Sequence, residues 1–266
     1  MITVRSLHVY PVKSCRGIDL ETVEVVATGF RFDREWMVVG EDGSFLSQRR
    51  HPVLATVVTG IDRGCLTLSA PGFPNLEVSL DGAGGTPRPV TVWGDTCDAR
   101  DEGSEAADWF STLLGERCHL VRLPSDSARW VDPRFAAPGD RVAFADGFPF
   151  LLLGQASIDE LNRRLEQPVP ADRFRANIVI ANAPAHAEDR WATIAAGDVV
   201  FDVVKPCARC VVVTTDQATG DRSPEPLKTL ASYRTVAGKV LFGQNLVHRG
   251  RGTLRRGDEV EVLDRR

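Results

Sequence analysis

Short segments rich in β-branched and aliphatic residues recur along the whole chain, broken at close intervals by Gly, Asp and Pro, and they do not alternate regularly with helical stretches. A parallel doubly wound sheet requires strand and helix to take turns. The pattern therefore argues against that fold and predicts an α+β, β-rich architecture of barrel-like sheets with a few flanking helices. In the first hundred residues, strands are expected at Val4–Pro11, Thr22–Ala27, Trp36–Val39, Leu54–Thr59, Cys65–Ser69, Leu76–Leu80 and Val90–Trp93. Residues 81–89 read as a mobile glycine-rich loop. Ser104–Glu116 carries Ala106, Trp109, Phe110, Leu113 and Leu114 at helical spacing, with Ser104 as its N-cap. The Pro- and Asp-studded stretch 124–139 has no periodicity and marks the crossing between two modules, 1–123 and 124–266.

The second module opens on the apolar run Phe148–Leu153. Ser157 and Glu160 have the spacing of a capping box for a helix ending near Leu165. Strands are expected at Asn177–Ala181, Val199–Val204, Arg209–Thr214, Val240–Val247 and Glu259–Leu263, with one short helix over Leu227–Tyr233.

A formal charge of -4 over 266 residues argues against a broad surface for nucleic acid or acidic membranes, which needs a basic excess, so any anion site must be local. No apolar run approaches the roughly 18 residues needed to span a bilayer. Met1–Val12 alternates like a strand and lacks the parts of a secretory signal, which points to a cytoplasmic protein. Of the 32 basic residues 28 are Arg, so Lys13 and Lys205, each beside a notable motif, gain weight. Six cysteines are too few for a disulfide framework and fit a reducing compartment.

Lys205–Gly220 carries Cys207 and Cys210 at C-x-x-C spacing. A zinc site would want a second Cys or His pair, and no companion C-x-x-C exists. A thioredoxin-like pair would sit at a helix start, whereas Val211–Val213 predict a strand. Two buried thiols at a strand start also meet the spacing. Arg209 adjoins Cys210, and a guanidinium beside a thiol favours the thiolate, the form that ligates a soft metal.

Several stretches, in order, carry a resemblance: VYPVKSCRG at Val9–Gly17, Asp33-Arg34 before Trp36, DGFPFLLL at Asp146–Leu153, FRANIVI at Phe174–Ile180, the Cys207–Gly220 segment and LFGQN at Leu241–Asn245. In these the chain resembles the MOSC-domain family, in the form with a MOSC N-terminal β-barrel module. It is similar to the amidoxime-reducing components and to bacterial relatives acting on N-hydroxylated bases. The resemblance implies a molybdenum cofactor whose metal is bound by Cys210. It also places Lys13, Ser14, Arg34, Arg175 and Arg209 around the cofactor, whose phosphate guanidinium and ammonium groups can hold. Asn177, two residues past Arg175, would face the same side of a strand. Cys207 is assigned to packing or to support of the metal ligand.

The chain departs from the family pattern at Ala208, which replaces a hydroxyl residue, at Asn245, which replaces an aromatic, and at Gly147 and Phe148, which replace Thr-Ser. Gly147 still offers its backbone N–H, and Phe148 alters the shape of the pocket. No iron-sulfur cluster, pyridoxal-binding domain or membrane anchor is expected. The implied reaction is reduction of a small N-hydroxylated substrate, with electrons from an external electron-transfer protein. The alternative is a cofactor or sulfur carrier working through a persulfide on Cys210.

Overall fold

A computed structural model describes residues 1–81, 85–127 and 129–266. Seven strands close into a barrel in the order Phe150–Gly154, Ile178–Ala181, Ile2–Val9, Glu259–Arg265, Trp191–Ala196, Val199–Ala208 and Lys239–Arg249, the last returning to Phe150–Gly154. All these pairings are antiparallel except that of Phe150–Gly154 with Ile178–Ala181. A parallel pair needs a crossover, supplied here by the helix Gln155–Asn162. Inward-facing Leu7, Phe150, Leu152, Ile178, Trp191, Phe201 and Leu246 fill the barrel.

The remaining N-terminal residues build an open module. Trp36–Gly40, Cys118–Arg122, Asp95–Asp101 and Pro87–Val92 form a four-stranded sheet, and Val58–Asp62, Cys65–Ser69 and Leu76–Ser79 a three-stranded one. Helix Ser104–Leu114 buries Ala106, Trp109 and Phe110 against Trp36, Val38, Leu66 and Leu68. The cores do not divide where the chain does. Ile2–Val9 is a barrel strand, and Val23, Val25 and Phe30 share the barrel core, whereas Val12 and Cys15 between them join the core of the open module, and Ala143 and Phe144 pack with Met37, Val39 and Val90 of its sheet.

Two residues break regularity where the barrel meets this module. Strand Val199–Ala208 shifts register between Val203 and Lys205 and again between Pro206 and Ala208. Pro206 has no N–H to give a ladder, and such bulges re-aim the side chains that follow. Opposite, Gly243 takes φ +80, and a Cβ there would lie 2.8 Å from the carbonyl oxygen of Leu152, so only glycine lets these backbones approach.

Several local expectations give way to tertiary structure. Leu54–Thr59 is not a strand: Pro52 opens a 3-10 turn, Pro52–Thr56, and pairing starts only at Val58. Ser104 does not cap its helix. Gly103 occupies that place at φ +98, which a side chain would resist. The Ser157–Glu160 capping box is absent, because Gln155–Asn162 begins after Gly154. The buried Ser157 hydroxyl instead donates to Glu188 Oε1 at 2.9 Å, and Glu160 pairs with Arg164. Arg209–Thr214 is not a strand either. Arg209 makes a rung to Val240, after which Val211–Thr214 curls into a 3-10 turn that buries Val213 against Leu230 and Phe242. Packing on that helix outweighs the β-propensity of three valines. The loop expected over 81–89 falls partly on residues 82–84, which lie outside those described. Among the described residues no helix is long and apolar enough to cross a membrane.

Candidate functional site

A cavity of about 310 Å³ lies between the open module and the bulged end of the barrel, within the size range of small-molecule sites. Every residue singled out from the sequence lines it: Lys13, Ser14, Arg34, Gly147, Phe148, Arg175, Asn177, Ala208, Arg209, Cys210 and Asn245. They come from six separate stretches of chain, and only the fold brings them together.

One wall is built around Tyr10. The Arg34 and Arg175 guanidinium carbons lie 4.3 and 4.2 Å from its ring centroid, and its hydroxyl donates to the Ala176 carbonyl at 3.2 Å. Arg34 donates to Asp33 Oδ2 at 2.5 Å, to Asn177 Oδ1 at 3.0 Å and to the Arg175 carbonyl at 3.1 Å. Its pair with Asp33 is buried rather than exposed, the carboxylate being 3% accessible and its other oxygen accepting from the Tyr10 N–H. Arg175 donates to the Cys15 carbonyl at 2.6 Å. Burial pushes the Tyr10 hydroxyl and the Cys15 thiol up to about 12 each, against the pull of Arg175 on both. Burial, with the Arg34 charge, brings Arg175 down to about 10. The predicted shared strand face of Arg175 and Asn177 does not exist, because Arg175 ends a 3-10 turn in the left-handed region and the strand begins at Ile178. Asn177 instead works as a buried post, donating to the His8 carbonyl and accepting from Leu151 N–H and Arg34.

Ser14, Arg34, Trp93 and Arg175 all hold φ between +52 and +72. Each such non-glycine residue costs on the order of 1 kcal/mol or more, and such conformations cluster at functional sites. Lys13 is buried, with its ammonium 2.7 Å from the Phe144 carbonyl and 2.5 Å from Asp146 Oδ1. Burial lowers its pKa. Crowding disfavours the Asp146 charge, but Lys13 holds the carboxyl well below the usual carboxylate range.

The opposite wall runs from Lys205 to Cys210. Arg209 does not address Cys210 as its adjacency suggested. Its Nη1 donates to Cys207 Sγ at 3.1 Å and its Nη2 to the Phe174 carbonyl at 2.7 Å, while its buried Nε has no partner. Cys207 lines the cavity and also touches the adjoining apolar cluster, a position open to either role named for it, packing or support of the metal ligand. Cys210 opens the 3-10 turn in extended conformation, and its sulfur has no hydrogen bond among the described residues. Asn245 donates to the Lys205 carbonyl at 3.2 Å. A Cβ on Gly147 would meet nothing within 4 Å, so neither space nor backbone demands glycine there.

The sequence reading missed Phe45, Arg49, Trp93, Asp146 and Lys205 as lining residues. Asp146 heads the DGFPFLLL stretch, and Lys205, one of only four lysines, precedes the C-x-x-C; both signals were present. Phe45, Arg49 and Trp93 carry no local signal. Among the described residues the lining holds Lys13, Arg34, Arg49, Arg175, Lys205 and Arg209 against a single carboxylate, Asp146, which suits an anionic ligand. Among the described residues no three His, Cys, Asp or Glu side chains cluster in a way that would hold a metal ion by themselves.

Residues 1–117 match the MOSC N-terminal beta barrel domain, and residues 139–261 match the MOSC domain. Mitochondrial amidoxime-reducing component 1 of Mus musculus is 37% identical over 98% of this chain and 82% of its own length, and the Homo sapiens protein of that name 36% identical over 98% and 83%. Molybdenum cofactor sulfurase of Arabidopsis thaliana is 33% identical over 90% of this chain but only 32% of its own length. With both modules matched and these relatives aligned over nearly its whole length, the chain belongs to the MOSC-domain family, in the two-module form shared with the amidoxime-reducing components.

Proposed function

We propose that the cavity holds the molybdenum cofactor, with the metal on the Cys210 thiolate, and that the protein reduces N-hydroxylated compounds such as amidoximes and hydroxylaminopurines. The observation that carries this is the convergence of Cys210 with an excess of cationic groups on one cavity. The residues present fit the group. The lining cations suit its phosphate, the unpartnered Arg209 Nε is a buried donor awaiting an acceptor, and the Cys210 sulfur is uncommitted.

When bound, the cofactor supplies a soft metal centre able to exchange two electrons with a substrate. The chain's own residues position the parts. Arg34 and Arg175 use only some of their five donors on protein acceptors, so each is oriented by the fold and keeps N–H groups for an anion. Lys13, clamped between Phe144 and Asp146, adds a third charge from the open module. Asn177 fixes Arg34, and Arg209 ties the Cys207–Cys210 segment to the Phe174 carbonyl, holding the ligating sulfur against the clamp. Phe148 and Phe150 line the cavity with apolar surface that limits water. A separate electron-transfer protein restores the reducing electrons, and we read the compartment as cytoplasmic, although the mammalian relatives are named mitochondrial.

Molybdenum-loaded protein supplied with an artificial reductant is expected to convert benzamidoxime to benzamidine. No turnover at stoichiometric molybdenum would overturn the reductase reading. It would favour the second one, a cofactor or sulfur carrier using a Cys210 persulfide, which the likeness to molybdenum cofactor sulfurase supports.

A further inference from the structure

Phe45, Arg49, Trp93 and Asp146 form one corner of the lining, away from the Tyr10 wall and from Cys210 in the proposed reading. Trp93 is the informative one. It sits at the tip of the hairpin joining Pro87–Val92 to Asp95–Asp101, a place where Asn or Gly ordinarily supplies positive φ. Here a tryptophan takes φ +57 and leaves 44% of its surface accessible, so burial does not account for it. Its environment is nonetheless ordered. Phe45 meets it at 5.0 Å with an interplanar angle of 63°, the Arg49 guanidinium lies 4.5 Å from its centroid, and its Nε1 donates to Asp146 Oδ1 at 3.3 Å. That same oxygen takes the Lys13 ammonium, while Oδ2 accepts no hydrogen bond among the described residues. A bulky aromatic is thus held in a strained backbone, half exposed, beside the one carboxylate in the lining.

We propose that Trp93 and Asp146 select the substrate: the ring of an aryl amidoxime or N-hydroxylated base lies against the Trp93–Phe45 wall, and an N–H of its head group donates to Asp146 Oδ2. The inference rests on the reductase reading, since it names the substrate class for that site. The chemistry matches on both sides. Amidoximes and their amidine products carry N–H donors on a planar head, which a charged carboxylate accepts strongly, and a planar ring gains most from an aromatic partner. An aliphatic analogue keeps the head and loses the ring, so Trp93 reads one half of the molecule and Asp146 the other.

The test uses the molybdenum-loaded protein and two amidines, benzamidine and acetamidine, with binding measured by calorimetry and KM and kcat measured for the matching amidoximes. Wild type should bind benzamidine more tightly than acetamidine. Trp93→Leu should shrink that preference by about tenfold, the size of one good aromatic contact, raising KM for benzamidoxime far more than it lowers kcat. Trp93→Phe should restore most of the preference. Asp146→Asn should weaken both amidines by roughly tenfold, as loss of a charged acceptor requires. Equal binding of the two amidines by wild type, an unchanged preference in Trp93→Leu, or loss of molybdenum from Trp93→Leu would each overturn the proposal. Because binding is read without turnover, a protein that binds benzamidine through Trp93 but reduces nothing would break the reductase reading alone.

Discussion

The two walls of the cavity are built on opposite principles. The wall around Tyr10 is closed: Arg34, Arg175, Asn177 and Asp33 are buried or nearly so, and their hydrogen bonds interlock through both modules. The wall from Lys205 to Cys210 is open, made of a strand that bulges twice and then gives out into a short turn, with an unpartnered Arg209 Nε and an uncommitted Cys210 sulfur. The contrast fits the division of labour that the proposed function requires. A site that must hold an anion in fixed register needs donors that do not move, while a side chain that must bond to something else cannot already be satisfied.

If this division holds, removing the uncommitted Cys210 sulfur of the open wall costs ligand with little stability, whereas removing an interlocked group of the closed wall costs stability first. The largest effect is expected for Cys210→Ala, which should lower molybdenum content by more than about a hundredfold, beyond the range seen when only a supporting residue of a metal site is lost, with little change in the unfolding midpoint. Equal metal in variant and wild type, measured by plasma mass spectrometry, would remove Cys210 from the metal. Next is Arg34→Ala, which strands the buried Asp33 carboxylate and should destabilise the fold by about 3 to 5 kcal/mol in urea titration. A loss under about 1 kcal/mol would mean that the closed wall behaves like a surface pair.

A pH test separates the walls without touching the ligand. Tyr10 and Cys15 are neutral in the fold, with pKa values pushed by burial to about 12 from ordinary values of 10.0 and 9.0. A raised pKa gives stability that is complete below the unfolded value and lost as pH climbs toward the folded one. Stability should therefore fall between pH 9 and pH 10, where Cys15 begins to ionise only in the unfolded chain. Cys15→Ala should flatten that slope, and an identical slope in the variant would show that Cys15 is not the group responsible. The smallest effect belongs to Cys207→Ala. Losing the Arg209 contact and a half-buried sulfur should cost roughly 1 kcal/mol and leave molybdenum content near wild type, whereas a metal loss matching that of Cys210→Ala would make the two cysteines one unit.

Most strands were legible because hydrophobic alternation and turn residues are local properties. Cys65–Ser69 and Leu227–Arg234 fall where their patterns put them, the helix extending one residue further. Two of the misses share one cause. Ser157 and Arg209–Thr214 have the right local chemistry for a cap and a strand, yet Glu188 and the Leu230–Phe242 surface pack from other elements; Leu54–Thr59 differs, since Pro52 two residues upstream is a local signal for the turn. Burial of an apolar side chain outweighs a propensity difference of about 1 kcal/mol or less.

The site shows the same boundary. The C-x-x-C alone leaves two buried thiols at a strand start open; it is the resemblance carried by the ordered motifs that implies Cys210 and its cationic company, residue types whose softness and charge belong to the side chains themselves. Which sulfur Arg209 would address, that Tyr10 would separate two guanidinium groups, and that Trp93 would stand beside Asp146 were decided by the tertiary structure. Those relations depend on where a bulge aims a strand and where a hairpin tip lands, and distances between remote segments are not written into either segment alone.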